Sequence, residues 1–397
     1  MFKLSESVER IAASATMAIS SRAKAMQAAG EDVIALAAGE PDFVTPQHIR
    51  DAAKAALDEG FTYYTPAAGI PELRAAWGEK VGRERGVTYT ADQVIVTAGG
   101  KQAVFNTVYA LAGPGDEVII PAPYWVSYTE QAKAVGATPV VIQTRAEDDF
   151  KLRPAALREA ITERTRLLIL CSPSNPTGAV YSRDELADLA ELLVEQQVPV
   201  LSDEVYDALI YGEPFTSIAS LGREIYDLTV VAGAVSKAYA MTGWRIGFAA
   251  GPKNVIAAAS RLQSHSTSGA NSIAQKAALA AITGDQSSVE QMRQAFDERR
   301  KYMLGRLLDM QGISCPEPLG AFYTFPRISA FYGRTLDGQP VDGSMAFCTA
   351  LLEHAKLALV PGVAFGNDDH VRLSYAASTE EITEAMDRLQ WFLSKLE

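Results

Sequence analysis

Through the middle of the chain, short apolar runs rich in β-branched residues alternate with stretches of helical period. The runs are Val94 to Thr97, Val118 to Ile120, Pro139 to Ile142, Leu167 to Leu170, Pro199 to Leu201, Thr229 to Val231 and Ile246 to Ala250. Strands that are apolar on both faces belong inside a layered structure, so the pattern predicts an α/β fold: a mainly parallel sheet covered by helices on both sides. Upstream, Ser14 to Ala29 reads as a helix closed by Gly30, and Val33 to Ala37 as a short strand. Thr45 as N-cap and Pro46 as first helical residue predict a helix that Gly60 closes, and Pro71 opens another that ends near Gly86. Phe61 to Gly69 has no clean period and reads as a loop. Capping boxes are expected at Ser182 with Glu185, before Leu186 to Val194, and at Ser378 with Glu381. Val289 to Met310 reads as a long charged amphipathic helix, broken by Cys315-Pro316-Glu317-Pro318. Beyond the break, runs at Phe322 to Phe325 and Val371 to Tyr375, with a helix after Ser378, predict a smaller α+β domain.

At 397 residues the chain exceeds the size at which single cores stop growing. Two domains are expected: residues 46–310 as the large one, and residues 1–45 with 311–397 as the small one. A net charge of −12 argues against a nucleic-acid partner, because phosphate backbones select clustered Lys and Arg. Cys171, Cys315 and Cys348 are odd in number and widely spaced, giving neither a metal motif nor a disulfide framework, and fit a reducing cytoplasm. The first 29 residues lack the layout of a signal peptide, and no apolar run reaches membrane-spanning length, so neither export nor insertion is expected.

Ligands of open parallel sheets bind beyond the carboxyl ends of the strands, and the chemistry-bearing residues fall at such turns. After the run ending at Thr97 comes Ala98-Gly99-Gly100-Lys101, where two glycines allow backbone N–H groups to approach an anion at a helix N-terminus. The stretch is not a Walker loop, since Ile95 and Gln102 occupy positions where that motif needs Gly and Ser or Thr. Cys171 to Gly178 and Ser202-Asp203-Glu204-Val205-Tyr206 follow two further runs. Between the last two runs lies Ser236-Lys237, in which a lysine among small and aromatic residues loses solvation, so that its neutral amine can attack a carbonyl. Arg245, eight residues on, suits a phosphate.

In this order and over nearly the whole chain, these motifs resemble those of the class I aminotransferases, fold type I enzymes that depend on pyridoxal 5'-phosphate. The resemblance implies that Lys237 is the lysine that binds the cofactor and shuttles protons, and that Asp203 pairs with the pyridine nitrogen. Asn175 and Tyr206 would bond the ring 3′-oxygen, and Trp125 would stack on the ring. Arg245, Gly99, Gly100 and Lys101 would serve the phosphate, with Ser236 beside them. Ala234 departs from the pattern, standing where many members carry a phosphate-binding Ser. Tyr64 matches the tyrosine that reaches the cofactor phosphate of the neighbouring subunit, which implies a homodimer with shared sites. Gly39 matches a substrate-contacting glycine, and Arg372 the arginine that grips the α-carboxylate.

Lys101 sits at a helix N-terminus, where the macrodipole opposes a cation by roughly 0.3 to 1 kcal/mol, so an anion is expected beside it. In the bacterial and plant subgroup that includes aspartate and prephenate aminotransferases, a lysine here and a threonine matching Thr16 read the distal carboxylate of the substrate. The resemblance therefore implies transamination between aspartate and 2-oxoglutarate, with prephenate as a further acceptor, and Trp125 and Asn175 also lining the substrate site. A carbon-sulfur β-lyase or a transaminase of other specificity is the enzymatic alternative, since one fold hosts several reactions. An aminotransferase-like effector domain of a transcription regulator is disfavoured because the chain begins directly at its first helix. A dehydrogenase is disfavoured by the missing glycine fingerprint.

Overall fold

The seven central runs form one sheet. The computed structural model describes residues 2–12 and 15–397, the side chains of residues 15–18 excepted. Its strands are β1 (Val94–Thr97), β2 (Glu117–Ala122), β3 (Thr138–Gln143), β4 (Thr165–Cys171), β5 (Val200–Asp203), β6 (Thr229–Ala234) and β7 (Gly247–Ala250). They lie in the order β1-β7-β6-β5-β4-β2-β3, and only β7 runs antiparallel to its neighbours. The expected α/β architecture with a mainly parallel sheet is therefore what the chain adopts. Alternate residues of each strand enter different cores. Ile95, Leu201 and Ala232 meet Val104 and Val108 of the helix Gly100–Leu111, whereas Val94, Val96 and Val231 meet Trp77 and Ala277 from helices on the other face. Leu168 and Val200 meet Leu189 and Leu193 of the helix Arg183–Glu195.

Several helix ends follow from their sequence. Pro71 opens the helix Pro71–Arg85 and Gly86 ends it in the left-handed region at φ 68°, as proline at the start and glycine past the end should do. Both expected capping boxes form, with Ser182 Oγ accepting from Glu185 N at 3.2 Å and Ser378 Oγ from Glu381 N at 3.1 Å. The helix after Thr45 begins at Gln47 instead, with Pro46 in the cap position. Thr45 does not cap it. Its hydroxyl donates to the Ala240 carbonyl at 2.7 Å and accepts from Trp244 Nε1 at 3.0 Å, so a long-range partner has replaced the local one.

A second core joins the two ends of the chain. Ala23, Val33 and Leu36 pack with Phe322, Leu351, Leu357, Leu373 and Phe392, and the helix Ser287–Leu308 turns Phe296, Met303 and Leu307 into the same cluster. The predicted strands here are shorter than their apolar runs: Tyr323–Thr324, Val360–Pro361 and Val371–Ser374 make a three-stranded antiparallel sheet, and Ile34–Ala35 pairs with Leu357–Ala358. Among the described residues no helix is long and apolar enough to cross a membrane.

Candidate active site

Four strands that point the same way, β1, β4, β5 and β6, end at Thr97, Cys171, Asp203 and Ala234, and the candidate residues follow those ends. Lys237 lies in the irregular turn after β6. The turn is held by Met241 N donating to the Ser236 carbonyl at 3.1 Å, and Ser236 is buried. Ala240 and Arg245 take left-handed backbone angles, φ 49° and 57°, which side-chain-bearing residues adopt only when their surroundings enforce it. The enforcement comes from the N-terminal segment. Lys237 Nζ donates to the Gly39 carbonyl, Thr242 Oγ1 donates to Glu40 at 2.8 Å, and Thr45 holds Ala240. The Lys237 ammonium has Tyr206 and Phe322 rings within 6 Å, at 5.9 and 5.7 Å. Burial, followed by the charge of Arg372, pulls its pKa down to about 8, against an opposing pull from Glu40.

Asp203, the last residue of β5, is buried, and Tyr128 Oη donates to its Oδ2 at 2.6 Å. Burial pushes this carboxyl above its usual range, while the Tyr128 bond favours the ionised form. Trp125 packs edge-on against Tyr128 at 5.4 Å, and the Lys101 ammonium lies 5.0 Å from the indole centroid. Partial burial and the nearby Arg245 lower the Lys101 pKa. The helix starting at Gly100 leaves the N–H groups of Gly100 and Lys101 without an intrahelical acceptor, whereas the Gly99 N–H already donates to Thr97 O at 2.8 Å. The donors of the anion cup therefore sit one residue later than the two glycines suggest.

Gly99 serves a different need. At φ 86° a side chain would be strained, and its Cβ would stand 2.3 Å from Arg245 Nη2, so the missing side chain is what lets the guanidinium lie against the turn. Ala234 also borders the cup, 3.5 Å from where a Cβ on Gly100 would be, and it offers no hydroxyl there.

The buried Arg372 donates from Nη1 to Asn175 Oδ1 at 2.9 Å and from Nη2 to the Ala37 carbonyl at 2.8 Å, while its buried Nε has no partner among the described residues. Its guanidinium carbon lies 4.4 Å from the Tyr323 ring centroid and 5.1 Å from that of Phe365. The Tyr206 and Tyr323 hydroxyls are 2.9 Å apart. Gly39 adjoins this group, since a Cβ on it would stand 3.1 Å from Tyr323 Oη.

The structure thus brings Gly39, Gly99, Gly100, Lys101, Trp125, Asn175, Asp203, Tyr206, Ser236, Lys237, Arg245 and Arg372 into one connected cluster. Tyr64 is not part of it, being 97% exposed beside Tyr63 at 85%. The Thr16 side chain lies outside the described residues. Tyr128, Tyr323 and the carbonyl of Ala37 belong to the cluster without having been singled out from the sequence. Among the described residues no group of three or more His, Cys, Asp or Glu is placed to hold a metal ion.

The donor set fits pyridoxal phosphate. It combines an amine of lowered basicity, a buried carboxylate able to face a protonated ring nitrogen, an indole, and a helix N-terminus with Arg245 for a phosphate. Arg372, held by Asn175 and the Ala37 carbonyl, supplies a guanidinium of the kind that pairs with a carboxylate. The family model described as "Aminotransferase class I and II" matches residues 31–389. The aspartate aminotransferase of Geobacillus stearothermophilus is 48% identical over 396 residues, covering 98% of this chain and 99% of that protein. The aspartate/prephenate aminotransferase of Cereibacter sphaeroides is also 48% identical over 396 residues, covering 99% of each. Among solved structures, aspartate aminotransferase from Thermus thermophilus with maleate superposes with a TM-score of 0.93 at 42% identity, covering 99% of this chain and 100% of that one.

Proposed function

Because this chain belongs to the class I and II aminotransferases, we propose that it transfers an amino group between aspartate and 2-oxoglutarate, with prephenate as a further acceptor. Enzymes of this family depend on pyridoxal phosphate, which when bound supplies the carbonyl that takes up the amino group and a ring that accepts the electron pair released at the substrate α-carbon. Lys237 Nζ takes the α-proton. At a pKa of about 8 much more of it is neutral near neutral pH than of an ordinary lysine. Asp203, with Tyr128 behind it, holds the proton on the ring nitrogen. Arg372 and Asn175 orient the α-carboxylate, Gly39 leaves room for it, and Lys101 faces the second carboxylate. Arg245, the Gly100 and Lys101 N–H groups and Ser236 take the phosphate.

Support for a dicarboxylate comes from the named substrates of the two relatives and from the maleate held by the Thermus protein. The exposed Tyr63 and Tyr64 support a homodimer in which Tyr64 completes the partner's phosphate site. Residues 46–310 are proposed as the large cofactor-binding domain and residues 1–45 with 311–397 as the small one. The free thiols of Cys171, Cys315 and Cys348 support a reducing cytoplasm as its place.

The single observation that carries the reading is the Lys237 amine, of lowered pKa, linked through Tyr206 and Tyr323 to Arg372. The test is a reaction with aspartate alone. Oxaloacetate should be released once per site and then stop until 2-oxoglutarate is added, whereas no oxaloacetate here together with continuous release of thiol, pyruvate and ammonia from a cysteine thioether would mean elimination and overturn the proposal.

A further inference from the structure

Tyr323 contacts both halves of the site. Its hydroxyl is 2.9 Å from that of Tyr206, its ring lies 4.4 Å from the Arg372 guanidinium carbon, and it is buried on a strand paired with the one that carries Arg372. Two buried phenols at this distance share one hydrogen bond, and each has a single proton. If Tyr206 directs its proton at the cofactor, its oxygen must accept from Tyr323. A hydroxyl that accepts a hydrogen bond becomes a better donor, because the two bonds polarise each other. The Arg372 guanidinium carbon lies 4.4 Å from the Tyr323 ring centroid, so that ring limits where the guanidinium can sit.

We propose that Tyr323 is a positioning residue with two separable tasks: its hydroxyl makes Tyr206 a stronger donor to the cofactor oxygen, and its ring holds Arg372 flat for the substrate carboxylate. The inference rests on the assignments of Tyr206 and Arg372 made above. It also accounts for the close packing at Gly39, where any side chain would press on the Tyr323 hydroxyl.

Two substitutions separate the tasks. Tyr323→Phe removes one oxygen and keeps the ring, so in the holoenzyme it should raise the midpoint of the pH titration of cofactor absorbance by about 0.5 to 1 unit. The KM for aspartate should hardly change. Tyr323→Leu removes the ring as well and should raise that KM a further threefold to tenfold, roughly what loss of a cation–π contact allows. In a Tyr206→Phe background, Tyr323→Phe should shift the midpoint no further, since the hydroxyl acts through Tyr206. An unchanged midpoint in Tyr323→Phe alone, or equal shifts in both backgrounds, overturns the hydroxyl role. Equal KM values for the Phe and Leu variants overturn the ring role. A Tyr206→Phe variant whose midpoint does not move sinks the assignment of Tyr206 itself, a result distinct from the other two.

Discussion

Tyr128 reaches Asp203 from the far side of the sheet's carboxyl edge, donating to Oδ2 at 2.6 Å where neither group meets solvent. Asp203 ends β5 and Tyr128 lies in the first turn of the helix Ser127–Ala134, which follows β2, and β2 and β5 flank β4 in the sheet. Burial pushes the carboxyl up, and this bond is the first influence opposing it. Tyr128→Phe should therefore leave Asp203 less ionised and less able to hold a protonated ring. A hydrogen bond to a charged group is worth about 1.5 to 3 kcal/mol, so cofactor affinity should fall roughly tenfold to a hundredfold, measured by quenching of protein fluorescence. An unchanged affinity would mean that Val205 N, 3.3 Å from Oδ1, suffices to keep the charge.

Lys237 titrates at about 8 in the folded chain against 10.5 for an ordinary lysine. In the cofactor-free protein the rate of recombination with pyridoxal phosphate should rise about tenfold per pH unit up to pH 8 and then level, because only the neutral amine attacks. Between pH 8 and 10.5 the unfolded chain binds more protons than the folded one, so this group's contribution to stability grows as pH rises across that window. A rate that keeps climbing to pH 10 would show that burial does not depress the amine. Lys237→Ala should remain folded with negligible turnover, and normal transamination by it would overturn the assignment of Lys237.

Much of this arrangement was legible in the chain because its signals are local. Apolar runs marked all seven strands of the sheet, and glycines, prolines and capping boxes marked the ends of helices. The motifs at the ends of β1, β4, β5 and β6 carried Gly99, Asn175, Asp203 and Lys237 for the same reason, since each needs only its neighbours in sequence to be noticed. Tyr128 and Tyr323 escaped, and Thr45 reads as an N-cap instead of the partner of Ala240. Each acts through a partner far along the chain, 75 residues away for Tyr128, 117 for Tyr323 and 195 for Thr45, and no periodicity encodes such a pairing. The Gly99 turn reads as an anion cup from sequence, while the room its glycine leaves for Arg245 is a packing demand visible only in three dimensions.

Arg85 supports the turn that follows β5. Its side chain is 1% exposed and donates to Glu204 at 2.6 Å and to Asp207, while Ser202 and Ser217 donate to the other Glu204 oxygen at 2.9 and 2.6 Å. Glu204 and Asp207 bracket Tyr206 in sequence, so this ion cluster fixes the backbone that presents Asp203 and Tyr206. Arg85→Met would strand the buried Glu204 carboxylate and the largely buried one of Asp207 and should destabilise the protein by about 3 to 5 kcal/mol, read from the denaturant midpoint and slope. Adding Glu204→Gln and Asp207→Asn should recover much of that loss, because the penalty comes from uncompensated charge.

Tyr64 is nearly fully exposed within its own chain, and the proposed homodimer gives it a destination on the partner's phosphate. Tyr64→Ala should weaken cofactor binding without changing the fold of the chain. In mixed dimers of Tyr64→Ala with Lys237→Ala, one site carries both lesions and the other neither. Mixing the two variants should therefore restore sites of full cofactor affinity. Restoration would fail if Tyr64 served its own subunit, since every site would then keep one lesion.

The proposed preference for dicarboxylic amino acids turns on Lys101. Its ammonium lies over Trp125, near Arg245, at a helix N-terminus, and both the helix and Arg245 repel it. A cation kept in such a place gains from an anion, and two are available: the cofactor phosphate and the second carboxylate of a dicarboxylic substrate. The phosphate already has Arg245 and the N–H groups of the turn, which leaves the substrate as the partner with more to gain. Lys101→Ala should lower catalytic efficiency for aspartate roughly tenfold to a hundredfold, the cost of one charge-assisted contact of about 1.5 to 3 kcal/mol. Alanine, which has no second carboxylate, should lose far less in the same variant. Equal losses for aspartate and alanine, together with weaker cofactor binding, would move Lys101 to the phosphate and remove the main structural support for a dicarboxylate substrate.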